Sequence, residues 1–177
     1  MNKPLLLLLA ALLGLSQCQK KADPSPVDQL PPATQTGANT LGCLVNGQPW
    51  TSQGNDGTSN YSISYDQSRA GVFALQTYRY QQKPNDNYQY IILEASRLYA
   101  PKTYSFQDSL NTRAVIYDKI TGCDLSSDDK ATYHKGTLTI TRLDLQAGII
   151  AGTFDFVLAK PGCDTVRVTQ GRFDKRL

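Results

Sequence analysis

One histidine, one glutamate and four cysteines carry the sharpest chemistry in this 177-residue chain. His134 is the only imidazole, so a Ser-His-Asp relay would have to run through it. It stands in Thr132-Tyr133-His134-Lys135-Gly136, at the entry to a strand pattern and beside a lysine, an ordinary surface setting. Neither a GxSxG elbow nor an HExxH helix accompanies it. Glu94 is the sole glutamate, and the aspartates are too scattered to name two carboxyls about 5–10 Å apart, as glycoside hydrolysis requires. Asp124, Asp128 and Asp129, with Ser126 and Ser127, make an oxygen-rich segment of the kind that can serve calcium. Their spacing fits no EF-hand, and the segment reads as a solvated turn. The cysteines form no CxxC pair for zinc, and no Gly-rich loop opens a helix for phosphate. These residues predict no enzyme, no metal and no cofactor.

Charge excludes another class. Lys and Arg number 18 against 15 acids, a net charge of +3 spread along the chain. Phosphate backbones are bound by clustered basic charge, so nucleic acid is not an expected partner.

The cysteines also report on compartment. Met1-Asn2-Lys3-Pro4 is a short basic start, and Leu5 to Leu15 contains only Leu, Ala and Gly. That run of 11 is far short of the roughly 20 residues of a spanning helix and suits a secretory signal peptide. It closes on Leu15-Ser16-Gln17-Cys18, which resembles the bacterial lipobox; Gln17 departs from the small residue usual there. The resemblance implies that Cys18 is acylated and becomes the first residue, with the membrane as partner through the lipid. Gln19 follows, not the Asp of an inner-membrane retention signal, so an outer-membrane lipoprotein facing the periplasm is expected, with surface exposure open. Export permits disulfides. Of Cys43, Cys123 and Cys163, the last two sit in matching turn contexts, Thr-Gly-Cys-Asp and Pro-Gly-Cys-Asp. A Cys123–Cys163 bridge is expected, with Cys43 a buried free thiol. Asp108-Ser109-Leu110 and Asp164-Thr165-Val166 resemble the O-glycosylation acceptor pattern of Bacteroidota.

These residues must be held by something, and the patterning predicts what. Residues 1–17 form the signal peptide and residues 18–40 the lipidated N-terminus and linker. Pro24, Pro26, Pro31 and Pro32, with almost no large apolar side chain among them, predict a disordered tether. As a coil its 22 residues after Cys18 would span roughly 26 Å, and about 70 Å as extended polyproline. Residues 41–177 show no helical periodicity and repeated period-2 alternation. Asn46-Gly47 between Cys43-Leu44-Val45 and Gln48-Pro49-Trp50 signals a two-residue type I′ hairpin, with Pro49 on an edge strand. Further strands are expected at 61–65, 71–80, 88–96, 103–106, 113–118, 136–143, 149–159 and 165–173. The domain is therefore all-β, an antiparallel β-sandwich or small β-barrel of about eight or nine strands.

One hairpin can be registered from its pattern. Pairing residues whose numbers sum to 168 sets Phe73 against Ala95, Leu75 against Leu93 and Thr77 against Ile91 on a core face. The other face then carries Tyr78 opposite Tyr90 and Tyr80 opposite Tyr88. A slip of one residue would mix the faces, so the pattern specifies the register. The chain has ten tyrosines, and these four are the candidate binding face, because flat amphipathic rings suit sugars and interfaces. A glycan or an envelope protein is the expected partner. The alternative is that the four rings pack on one another or beneath a second sheet.

Four stretches together resemble a family. Leu41-Gly42-Cys43-Leu44-Val45-Asn46-Gly47-Gln48-Pro49-Trp50, Ile140-Thr141-Arg142-Leu143-Asp144, Ile150-Ala151-Gly152-Thr153-Phe154-Asp155-Phe156 and Cys163–Asp174 are similar, in this order, to a domain-of-unknown-function family of Bacteroidota lipoproteins. Its marks are a lipobox, a VNGxxW opening, a GTFxF strand and a GRFD ending. The resemblance implies a lipid-anchored all-β protein and no catalytic residues. The function expected is a non-catalytic envelope lipoprotein that binds a ligand or partner. The alternatives are a lipocalin-like carrier of a small apolar ligand and a hydrolase with an unrecognised site.

Overall fold

A computed structural model describes residues 23–81 and 87–177. The expected signal peptide, the lipobox with Cys18, and residues 82–86 of the Tyr80–Tyr88 connection lie outside the described residues. Among the described residues eleven strands follow one 3-10 turn at Pro26–Gln29: β1 Thr40–Val45, β2 Gln48–Thr51, β3 Tyr61–Asp66, β4 Val72–Gln81, β5 Asn87–Ala95, β6 Lys102–Ser105, β7 Thr112–Asp118, β8 Cys123–Ser126, β9 Tyr133–Asp144, β10 Ile149–Ala159 and β11 Val166–Arg176. They form two antiparallel sheets, ordered β2-β1-β11-β10-β9-β6 and β3-β4-β5-β7-β8. This is a sandwich with two open sheets, which resolves the choice between sandwich and barrel.

The elements follow from local chemistry. Val45 pairs with Gln48, so Asn46-Gly47 is the whole loop, and both residues have positive φ (49° and 79°), as type I′ demands. Pro49 lies on β2, an edge strand. The β4–β5 pairing is the one with numbers summing to 168 throughout, from Phe73↔Ala95 to Tyr80↔Tyr88. The inner faces meet over a filled core in which Phe73, Leu75, Ile91, Leu93, Leu138, Ile150 and Leu158 are wholly buried. Burying each such side chain contributes about 1.5–3 kcal/mol before entropy is counted.

The motifs that mark the family resemblance are packing devices. Gly152 pairs with Phe173 and Phe154 with Gly171 across β10 and β11. Each ring lies over the opposite glycine: a Cβ on Gly152 would fall 2.6 Å from Phe173 Cζ, and one on Gly171 2.5 Å from Phe154 Cδ2. The G-x-F of one strand is therefore the complement of the G-x-F of the other. Trp50, which ends the VNGxxW stretch, is buried at 2% exposure, with Nε1 donating to Gln89 Oε1 at 3.1 Å.

Two expectations need correction. The folded unit does not begin at Leu41. Residues 25–38, placed in the tether by composition, dock on the six-stranded sheet as a strap. Ser25 and Asp28 cap the 3-10 turn reciprocally. Leu30 is buried, and Pro31 sits where Gly42 has no side chain, 2.6 Å from the position of a Cβ there. Beyond it, Asp174 of β11 accepts from Thr34 Oγ1 (2.7 Å), Thr36 N (2.8 Å), Gly37 N (2.7 Å) and Ala38 N (3.1 Å). Burial alone would raise this carboxyl's pKa; these hydrogen bonds outweigh it and hold Asp174 below the usual range. The segment expected to be a solvated acidic turn is one only in part: Cys123–Ser126 is β8, an edge strand paired with β7 whose Leu125 enters the core, while Asp128 and Asp129 lie in the turn that follows, Asp128 exposed.

Candidate functional site: a tyrosine face on the five-stranded sheet

Because side chains alternate across a strand, the even-numbered residues of β4 and β5 point away from the core. Tyr78, Tyr80, Tyr88 and Tyr90 therefore share the outer face, as expected. The β5–β7 register sets Tyr117 opposite Tyr90 and adds a fifth ring. Tyr78 stacks on Tyr88 with centroids 5.5 Å apart, and Tyr90 on Tyr117 at 5.1 Å. Tyr88 meets Tyr80 and Tyr90 edge-on, both at 6.0 Å. These are favoured aromatic geometries, so the rings brace one another.

The four predicted rings are not equivalent. Tyr80, Tyr88 and Tyr90 are half-buried, as is Tyr117, but Tyr78 is only 5% exposed. The cause is the segment Ser52–Asn60, which runs along β4 beyond the end of β3. Its backbone takes the edge of β4 through Gln53 N to Tyr78 O, Tyr80 N to Gln53 O and Tyr78 N to Asn60 O. Gly54, at φ +80°, passes so close that a Cβ would lie 2.0 Å from the Tyr80 carbonyl oxygen. Tyr78 Oη lies 2.7 Å from both Asp56 Oδ1 and Thr58 O, and accepts from Asp56 N at 3.2 Å. Tyr78 is thus a post that holds this loop over one end of the aromatic face. The Thr58 hydroxyl and the Tyr78 phenol keep the Asp56 carboxyl below its usual pKa.

Between that loop and the rings lies a cleft of about 250 Å³. Tyr88, Tyr90 and Ile92 form its apolar wall, and Thr58, Ser62 and Gln76 supply polar groups. Burial raises the pKa of the Tyr88 and Tyr90 phenols, with Asp56 adding to the first and Asp124 to the second. Both stay protonated at neutral pH and keep a hydroxyl donor at the edge of each ring. Such a surface can stack a flat ligand and hydrogen-bond its rim.

The other sequence candidates fall elsewhere. His134 is half-buried, with Nδ1 3.0 Å from Thr132 O. Glu94 lies on the outer face and pairs with Arg113 at 3.6 Å, and Arg113 also reaches Asp128 at 3.1 Å. The Ser126 hydroxyl and then Arg113 hold the Asp128 carboxyl low. Among the described residues no group of three metal-ligating side chains is brought together. Cys123 and Cys163 are bonded and join β8 of one sheet to the β10–β11 connection of the other. Cys43 is the buried free thiol expected from the sequence; burial pushes its pKa up to about 12, against the pull of Arg79. Ser109 and Thr165, of the two acceptor-like triplets, are both exposed.

The sequence reading missed Tyr117, the loop contributed by Thr58, and the polar partners Ser62 and Gln76. Tyr117 alternates with Ile116 in a clear strand pattern, so registering β7 on β5 would have found it. The loop carries no such signal, since Gly, Asn, Asp, Thr and Ser dominate residues 54–60. Comparison with protein-family models, with curated proteins and with solved structures gives no match to this chain.

Proposed function

We propose that this chain is a non-catalytic, lipid-anchored envelope module, anchored through Cys18, that binds a glycan on the tyrosine face. The family resemblance to Bacteroidota lipoproteins supports the lipid anchor in this reading, and Gln19 after Cys18, where a retention signal has Asp, supports the outer membrane. The observation that carries the binding is the contiguous row of five mutually braced rings on an outward sheet face, four of them half exposed and two of these, Tyr88 and Tyr90, walling a cleft with hydroxyl and amide groups. Rings already ordered by one another lose little freedom when a ligand stacks on them. A cleft of about 250 Å³ is below the roughly 300–1,000 Å³ of drug-sized pockets and suits one saccharide unit of a longer chain.

The test is glycan-array binding followed by titration of the best saccharide against the chain and its Tyr88→Ala/Tyr90→Ala variant. Tyr78 is left intact because it supports the loop. At roughly 1–1.5 kcal/mol per ring, losing two should weaken binding about 30- to 150-fold. Unchanged affinity in a folded double variant, or no saccharide bound at all, defeats the glycan reading. Retention of an envelope protein on the same face, lost in the same variant, would redirect it to a protein partner.

A further inference from the structure

A second recess lies at the end of the sandwich where β1 turns into β2. There the two sheets part around a cleft of about 220 Å³. Val45 and Val166 line it from one sheet, Ile116 and Leu125 from the other. Ile116 and Leu125 belong to the central core, and Val45 and Val166 pack against that core while staying half-buried. The cleft is thus the core laid open at one end. The Cys123–Cys163 bridge spans the two sheets beside it and limits how far its walls can separate.

Its mouth has one sign of charge. The charged residues lining it are Asp118 and Asp164, with no lysine or arginine among them. Asp118 is occupied by Gln89 Nε2 at 2.6 Å and Ile120 N at 2.8 Å. Among the described residues neither aspartate is in an ion pair within 4.0 Å. Two carboxylates facing an apolar recess repel an acid and attract a cation. An apolar cavity of about 150 Å³ holds benzene in another protein, so this volume admits one ring with a short arm. We propose that this cleft is a binding site for a small amphiphilic amine, the apolar body seated between Val45, Ile116, Leu125 and Val166 and the ammonium paired with Asp164, since Asp118 is already engaged by Gln89 and Ile120.

The test is methyl-resolved NMR on the full chain in zwitterionic lipid nanodiscs, titrated with 2-phenylethylamine, 2-phenylethanol and 3-phenylpropanoate. The expected result is saturable shifts of the Val45, Ile116, Leu125 and Val166 methyls. The amine should bind about fivefold tighter than the alcohol, the worth of one carboxylate–ammonium pair at about 4 Å in near-aqueous surroundings, and the acid weakest. Asp164→Asn should bring the amine down to the alcohol's affinity. Val166→Trp should abolish binding while the Leu75 and Leu93 methyls stay dispersed; Val45→Phe replaces it if that dispersion is lost. No saturable shift at the four methyls, an acid that binds as well as the amine, or binding that survives the filling substitution in a folded variant overturns the proposal.

Discussion

Replacing Asp174 by Asn should release the N-terminal strap while leaving the sandwich folded. The carboxylate is 1% exposed and accepts three backbone N–H groups and the Thr34 hydroxyl. An asparagine placed best keeps its carbonyl toward Thr34, Thr36 and Ala38 and turns its NH2 toward Gly37 N–H, so one donor faces another. An orphaned buried donor costs about 1–3 kcal/mol, and each remaining bond falls from a charged to a neutral one, about 1 kcal/mol less. The strap can undock and rehydrate its amides, which caps the total; we expect about 2–4 kcal/mol. Read by hydrogen exchange, the amides of Thr36, Gly37 and Ala38 should lose protection by roughly 30- to 1,000-fold, while those of β4 and β5 hold theirs. Acid should reproduce the effect. Asp174's folded pKa lies below its unfolded value, so its stabilisation is complete above the unfolded carboxylate range, near 4, and drains away as pH falls through the folded value. The wild-type strap should therefore loosen below about pH 4, and the variant should lack that dependence. Strap amides that stay protected in the variant at neutral pH would refute this account of Asp174.

Two further outcomes test other parts of the frame. Serine at both Cys123 and Cys163 removes a cross-link over 40 residues, worth about 4 kcal/mol in the chain-entropy picture; the thermal midpoint should drop by roughly 8–16 °C, and an unchanged midpoint would mean the bridge constrains little. Gly54→Ala puts a methyl against the Tyr80 carbonyl at φ +80°; the Ser52–Asn60 loop should lift and Tyr78 fluorescence become quenchable by iodide, whereas unaltered quenching would show that the loop does not depend on that close approach.

What could be read from the residues was whatever local pattern determines. The β4–β5 register was legible because one face is apolar and the other tyrosine, so only one alignment keeps both intact. The Asn46-Gly47 turn was legible because φ > 0 at two successive positions restricts the residue types. The bridge was legible from two matching turns. What stayed hidden depended on partners distant in sequence. Thr34 meets Asp174 across 140 residues, and a Pro-rich segment with one Leu reads as linker until that carboxylate is placed beside it. β8 has a single large apolar residue in Cys-Asp-Leu-Ser, so its alternation is too short to register until β7 supplies the ladder. Tyr78 was assigned to an open face because nothing in residues 52–60 announces that they will pair with β4. The candidate site was thus half visible: its rings follow from strand period, its lid and polar groups from tertiary pairing alone.

The strap also changes what an anchor at Cys18 would do. Counted from composition, 22 residues separate the proposed lipid from Leu41 and could reach about 70 Å as extended polyproline. With Ser25 onward docked, six residues remain between Cys18 and the first capped position. Counted to Ser25 that is seven steps of at most about 3.3–3.6 Å each, a reach of no more than roughly 25 Å. If Cys18 is acylated as proposed, so short a span would keep the sandwich near the bilayer, and glycans borne by that membrane would be nearer to it than ones dispersed in the surrounding space. Asp174→Asn then acts on function without touching a ring: it lengthens the leash threefold while the affinity for a soluble saccharide stays constant. If the binding partner is membrane-borne, the effective concentration set by the leash falls as its reach grows. Binding to glycan-bearing vesicles should weaken in the variant, and binding to free glycan should not; equal loss in both would place the strap in the binding site itself and not in its tether.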